Sequence, residues 1–225
     1  MASRRYRAKG FFITLEGPEG SGKSTQAVRL AAALRQAGYS VIRTREPGGT
    51  ALAETIRRAL LSASSRELVT ATTEALLILA ARSQHVAHVV MPALRRGRIV
   101  VCDRFSDSTL AYQGYGRGVT MPWLRRANDM ASGGLSPDLT LLFDLPASIG
   151  LARRRKARGR QNRLDRETEE FHRKVRQGFL ALARQALRRI TVIDATQRPD
   201  DIAKLTATLV FKRLSRYRLL RKSKA

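Results

Sequence analysis

A single cysteine, Cys102, stands among the 225 residues, so no disulfide can form within the chain. It ends the apolar run Ile99-Val100-Val101-Cys102, where a thiol packs as a small buried hydrophobe. Acidic residues are scarce: 18 Asp and Glu face 43 Lys and Arg, a formal net charge of +25. Long apolar runs are missing as well. None approaches the roughly 20 residues of a membrane helix. The basic N-terminus is followed only by the short run Phe11 to Leu15, too brief for the core of a signal peptide. These absences lead to the expectation of a soluble, cytoplasmic protein with no membrane partner. Internal repeats and low-complexity linkers are also lacking.

The positive excess is spread along the chain. Residues 1–9 carry four basic side chains and residues 212–225 carry seven, neither stretch with an acid, and the body between them is basic too. Such a field attracts polyanions, whether nucleotides or nucleic acid. The tails also read as solubility devices, and nucleic acid is expected only as non-specific attraction to them. The expected organisation is a flexible basic tag over 1–10, one domain over 11–211 and a basic tail over 212–225.

What is present centres on Gly17-Pro18-Glu19-Gly20-Ser21-Gly22-Lys23-Ser24, followed by Thr25. The run fits G-x-x-x-x-G-K-[ST], in which backbone N–H groups at a helix N-terminus converge on a phosphate. Lys23 adds a point charge for the outer phosphates, and the Ser24 hydroxyl suits a Mg²⁺ shell. The flanks agree. Phe11 to Leu15 reads as a strand, and Ala27, Leu30, Ala31 and Leu34 fall on one face of a helix.

Four more strands read at 39–44, 98–102, 139–145 and 190–193. Helices are expected over 23–37, from Thr50 to Leu61, over 67–95 with Pro92 as a kink, and through Ser108 to Gln113 until Gly114, Gly116 and Gly118 break it. Further helices read over 121–131, from Ser148, over 165–187 and over 199–214. Strands alternating with helices argue for α/β architecture: a P-loop NTPase-type three-layer fold, with a five-stranded parallel sheet covered on both faces. Ligands of such sheets gather at the carboxyl ends of the strands. Glu16, Arg45, Asp103 and Asp194 all fall there. Asp103 is a candidate Mg²⁺ carboxylate, and Arg104 beside it suits a two-pronged grip on phosphate. Eight of the sixteen residues 151–166 are Arg or Lys. They read as a lid over about 153–163 that brings guanidinium groups onto transferring phosphates, hinged near Gly159. Arg153, Arg158 and Arg160 are its candidate catalytic members, and spacing does not choose among them.

These segments together resemble bacterial thymidylate kinase. The matching pieces are Glu16 to Thr25, Thr44-Arg45-Glu46-Pro47-Gly48-Gly49-Thr50, Ala80 to His85, Asp103-Arg104-Phe105 with Ser108, Ala111 to Gly114, Pro137 to Thr140, the lid, and Ile193-Asp194-Ala195. They cover roughly residues 11–205 in the family's order. The resemblance implies that ATP is the donor, dTMP the acceptor, Mg²⁺ the metal and a homodimer the assembly. It implies that Gly17 to Ser24 hold the ATP phosphates, that Glu19 meets the acceptor side, and that Arg104 and Arg45 hold the dTMP phosphate. Arg82 would meet the thymine edge with Ser108, Thr109 or Gln113 nearby, Tyr112 would crowd the sugar 2′ position, and Asp194-Ala195 would form the adenine-side turn. One departure stands out. The family places Phe four residues before the arginine matched to Arg82, and Ile78 occupies that place here, forgoing stacking of about 0.5–1.5 kcal/mol. The expected reaction is in-line transfer of the ATP γ-phosphoryl to dTMP, with Lys23, Arg104 and a lid arginine neutralising charge. The rivals are a kinase for another nucleoside monophosphate, a nucleic-acid-stimulated NTPase, and a nucleotide-binding regulator without turnover.

Overall fold

The computed structural model describes residues 10–62, 68–156 and 162–217. Five strands, β1 (Phe11–Glu16), β2 (Val41–Arg45), β3 (Ile99–Asp103), β4 (Leu139–Asp144) and β5 (Ile190–Asp194), form one parallel sheet in the order β2-β3-β1-β4-β5. The chain reverses direction about β1, which lies between β3 and β4. Ligand crevices of open α/β sheets open at such a reversal.

Alternation along β1 explains both layers. Phe11, Ile13 and Leu15 pack with Ala27, Leu30 and Leu34 of α1 (Lys23–Gln36). Phe12 faces the other way, against Val86, Val90, Leu94 and Phe105, its ring edge-on to Phe105 at 4.9 Å. On that second face β1 turns polar toward its end. Thr14 Oγ1 shares a 2.8 Å hydrogen bond with Thr140 Oγ1 of β4, and Glu16 is fully buried beyond it. All five strands begin or end within two residues of the sequence expectation. Arg45, Asp103 and Asp194 are the last residues of their strands, not the first of the following loops.

The helices required more correction. After α2 (Ala51–Leu61), the long helix expected from residue 67 starts at Ala71, where Thr70 Oγ1 accepts the Thr73 N–H at 3.2 Å. This α3 (Ala71–His85) passes through a π-helical turn, Val86–Val90, into α4 (Met91–Arg95). Pro92 lies just past that turn; its missing N–H and bulky ring are accommodated by the wider winding. Gly114 and Gly116 do not end the segment after β3. A short α5 (Ser106–Thr109) continues as π-helix through Leu110–Gly116. The glycines are there for packing: a Cβ on Gly114 would stand 2.5 Å from Met121 Sδ, and one on Gly116 would stand 2.7 Å from the Phe171 ring. After α6 (Met121–Ser132) and α7 (Ala147–Lys156), the helix expected over 165–187 is a 3₁₀ turn, Leu164–Arg166, and then α8 (Glu169–Gln185) capped by Thr168. The last helix, α9 (Pro199–Leu214), takes in the first residues of the expected tail, and Tyr217 packs edge-on to Phe11 at 4.8 Å. Residues 1–9 and 218–225 of the expected tails lie outside the described residues.

Gly178 in α8 reverses a simple propensity argument. Alanine in a helix interior is worth about 1 kcal/mol over glycine. A Cβ on Gly178, however, would stand 2.7 Å from the Tyr115 ring, and overpacking costs about 1–3 kcal/mol. Gly178→Ala is therefore expected to lower the melting temperature. A thermal melt showing stabilisation would mean that the Tyr115 ring swings aside freely.

Candidate active site

The loop after β1 is shaped by what surrounds it. A Cβ on Gly17 would stand 2.3 Å from the Phe143 carbonyl oxygen, and one on Gly20 would stand 2.1 Å from that of Gly150. Both glycines take positive φ, and Gly22, at φ 83°, N-caps α1 with no side-chain partner. The amides heading a 14-residue helix are thus left open to an anion. Lys23 folds back into the loop. Its Nζ donates to the Pro18 carbonyl at 2.7 Å and to Ser21 Oγ at 3.0 Å. Burial, helped by the Arg104 charge, holds the Lys23 ammonium down at about 8. Ser24 Oγ donates to Asp103 Oδ2 across β1 and β3 at 2.5 Å.

Arg104 joins the two halves of the site. It follows β3 at φ 71°, the only positive-φ residue other than glycine among those described. The turn is held from below by Glu16, whose carboxylate accepts the Phe105 N–H at 2.7 Å and Ser108 Oγ at 2.5 Å. Burial and then the Asp107 charge push Glu16 up to about 8. Arg104 Nη1 donates to the Gly17 carbonyl and Ser108 Oγ, both at 3.1 Å. Its Nη2 donates to Glu19 Oε1 at 2.7 Å and Tyr112 Oη at 3.0 Å. For Glu19, burial acts upward, but Arg104, Lys23 and the Tyr112 hydroxyl outweigh it and hold the carboxyl at about 2.

Two cavities adjoin at this arginine. The larger, about 540 Å³, is walled by Glu19, Gly20, Gly22, Lys23, Ser24 and Thr25 of the loop, with Asp103, Arg45 and Arg153. The smaller is lined by Ile78, Arg82, Ser108, Thr109, Tyr112 and Gln113, and shares Arg104, Glu46, Pro47 and Leu164 with the larger. Arg82 is almost fully buried. Its Nε donates to Glu46 Oε2 at 2.7 Å, Nη1 reaches Asn128 Oδ1, and the guanidinium lies over the Phe105 ring. His85 braces Glu46 from behind, Nδ1 at 2.8 Å from Oε1 and Nε2 at 2.7 Å from Thr44 Oγ1. Arg45 is exposed and pairs with Glu54 at 3.0 Å.

Asp194 and Ala195 line neither cavity. Asp194 is exposed and accepts the Thr196 N–H and hydroxyl, while the Ala195 carbonyl accepts Arg153 Nη1 at 2.8 Å, tying α7 to this turn. Arg158 and Arg160, with Gly159, lie outside the described residues. Sequence reasoning missed Arg57, which also walls the larger cavity, as do Arg154 and Asn162 from the stretch expected as a lid. Arg57 donates to the Pro47 carbonyl at 3.0 Å, and burial and the Arg45 charge lower its pKa. The available signal was that α2 leaves directly from the Glu46-Pro47 turn, so its inner face borders the site.

A phosphate cradle facing a second, mostly apolar cavity across one shared arginine defines a P-loop phosphotransferase, a class that moves a phosphoryl group between two bound ligands. Comparison with known proteins narrows the class. A family model described as thymidylate kinase matches residues 15–205. The chain is 53% identical over 206 residues to a thymidylate kinase of Thermomicrobium roseum, covering 90% of this chain and 97% of that one. It is 47% identical over 212 residues to one of Geobacter sulfurreducens, covering 92% and 99%. Its fold matches a crystal structure of thymidylate kinase from Ehrlichia chaffeensis with a TM-score of 0.72 at 32% identity, over 90% of this chain and 98% of that one. The chain belongs to the thymidylate kinase family.

The Lys23 environment gives a pH dependence with a definite sign. Its pKa is lowered to about 8 in the free protein, so its charge is full below that value and is lost above it. Since kcat/KM reports the free enzyme, kcat/KM for ATP is expected to fall as pH rises through about 8. A profile that stays flat to pH 9.5 would contradict this assignment.

Proposed function

We propose that this chain transfers the γ-phosphoryl group of ATP to dTMP, yielding ADP and dTDP. The observation that carries the reading is the meeting of the two cavities at Arg104, with family membership behind it. ATP lies with its phosphates along Gly17 to Ser24, and dTMP lies with its base among Ile78, Arg82 and Gln113. An acceptor phosphate oxygen forms the new P–O bond in line with the breaking bond to ADP. Catalysis is by position and charge, because the acceptor is already anionic and needs no strong base. Lys23 neutralises charge on the donor side. Arg104 exchanges part of its hold on Glu19 for the acceptor phosphate, and Arg45 and Arg57 add positive charge at the same mouth. Arg153 stands at the lid end of the cavity, in reach of the donor side.

Among the described residues no cluster of three or more His, Cys, Asp and Glu could hold a metal ion. Ser24 and Asp103 nevertheless pair two hard oxygens in contact, which fits an ion completed by phosphate oxygens and water. Mg²⁺ held there would supply charge neutralisation on the donor phosphates. A homodimer and a cytoplasmic location belong to the same reading. Leu52, Leu76 and Met130, exposed on α2, α3 and α6, offer apolar surface for a partner copy.

A coupled ADP-release assay with dTMP, dUMP, dCMP and dGMP tests the substrate. Turnover is expected with dTMP and, more weakly, dUMP, and Lys23→Ala should cut kcat at least 100-fold with the fold retained. Turnover of another monophosphate with none on dTMP would reject the assignment.

A further inference from the structure

Glu74, in the first turn of α3, is 1% exposed yet receives three side chains from two other segments. Gln113 Nε2 donates to its Oε1 at 2.6 Å, Arg117 Nη2 reaches its Oε2 at 3.3 Å, and Arg163 Nη2 donates to Oε2 as well. Burial acts to raise its pKa, but the hydrogen bonds of Arg163 and Gln113 and the charge of Arg117 bring it below the ordinary value, so the carboxylate is ionised.

An ionised carboxylate only accepts hydrogen bonds. The end of the Gln113 amide that touches Glu74 must therefore be its NH₂ group. The amide oxygen is left over, and no described residue donates to it. Gln113 is itself buried and lines the smaller cavity beside Arg82 and Thr109. The Thr109 hydroxyl, buried at the same wall, has no partner among the described residues either. Arg82 has only N–H groups to offer. The cavity thus sets a donor next to an acceptor. That order complements the imide edge of thymine or uracil, where a carbonyl accepts and a ring N–H donates. It opposes cytosine, whose amino group donates and whose ring nitrogen accepts.

We propose that Glu74 is a positioning residue that sets pyrimidine selectivity by locking the Gln113 amide with its oxygen toward the base. The same carboxylate holds Arg163, the last residue of the expected lid stretch, which also donates to the Leu60 carbonyl, so the base wall and the end of that stretch share one anchor. The inference rests on dTMP being the acceptor.

The experiment compares kcat/KM for dTMP and dCMP in the wild type and in Glu74→Gln, Gln113→Leu and Arg163→Gln. A glutamine at 74 can both accept and donate, so Gln113 loses its forced orientation. The dTMP-to-dCMP ratio is expected to fall at least tenfold in Glu74→Gln, mainly through a raised KM for dTMP with a smaller change in kcat. Arg163→Gln leaves the Glu74–Gln113 contact in place, and the ratio should stay within about twofold. Equal losses on both substrates in a folded Glu74→Gln protein, with the ratio intact, would overturn the proposal. If a thermal melt shows that Glu74→Gln does not fold, Gln113→Leu decides: a collapsed ratio supports the proposal and a retained ratio refutes it. A wild type that ignores dTMP and uses a different monophosphate would be a failure of the functional reading instead.

Discussion

The site depends on how Arg104 is held. A non-glycine residue at φ 71° costs conformational energy, on the order of 1 kcal/mol, and persists only where its surroundings over-determine it. Here they do. Its N–H donates to the Leu15 carbonyl at 3.0 Å, its carbonyl accepts the Cys102 thiol at 3.1 Å, and Glu16 fastens Phe105 and Ser108 just beyond it. The guanidinium is then clasped by Gly17, Ser108, Glu19 and Tyr112. One residue at the end of β3 therefore binds the phosphate loop of β1 to the wall of the second cavity.

Charge is arranged around the same centre. Among the described residues, nearly every acid sits at the carboxyl end of a strand or near the start of the helix that follows: Glu16, Asp103, Asp144 and Asp194 close strands, and Glu54, Glu74, Asp107, Glu169 and Asp200 open helices. Asp129 and Asp138 are the exceptions. Negative charge is favoured at helix N-termini and positive charge at C-termini. Arg35, Arg95, Arg184 and Arg213 stand accordingly in last turns. The large positive excess is thus unevenly spread. Several arginines near the site are paired with carboxylates, as in Arg104–Glu19, Arg82–Glu46 and Arg154–Asp165.

Much of this was legible in the residues alone. The strand, glycine loop and helix from Phe11 to Gln36 are local features, and local features have periodicity. Gly38, just past α1, takes a positive φ that side-chain-bearing residues avoid, a stop of the same local kind. Where local signals misled, tertiary packing had outbid them. Gly114 and Gly116 read as breakers but lie within helical backbone, Gly114 packed against α6 and Gly116 against α8, and Gly178 reads as a defect but makes room for Tyr115. Ile78, which lines the smaller cavity, was visible from the first as a missing aromatic. That Arg82 is buried and spends two of its nitrogens on Glu46 and Asn128 was not, because those partners lie 36 and 46 residues away.

The order of residues alone determined the phosphate cradle, the alternation of strands and helices, and the strand-end carboxylates, because each follows from backbone geometry within a dozen neighbours. Tertiary structure alone decided which side chains share a cavity wall, that Arg57 belongs to the site, and that Glu74 gathers Gln113, Arg117 and Arg163. Those contacts span long stretches of chain, and a buried carboxylate finds its partners only once the sheet has brought their helices together.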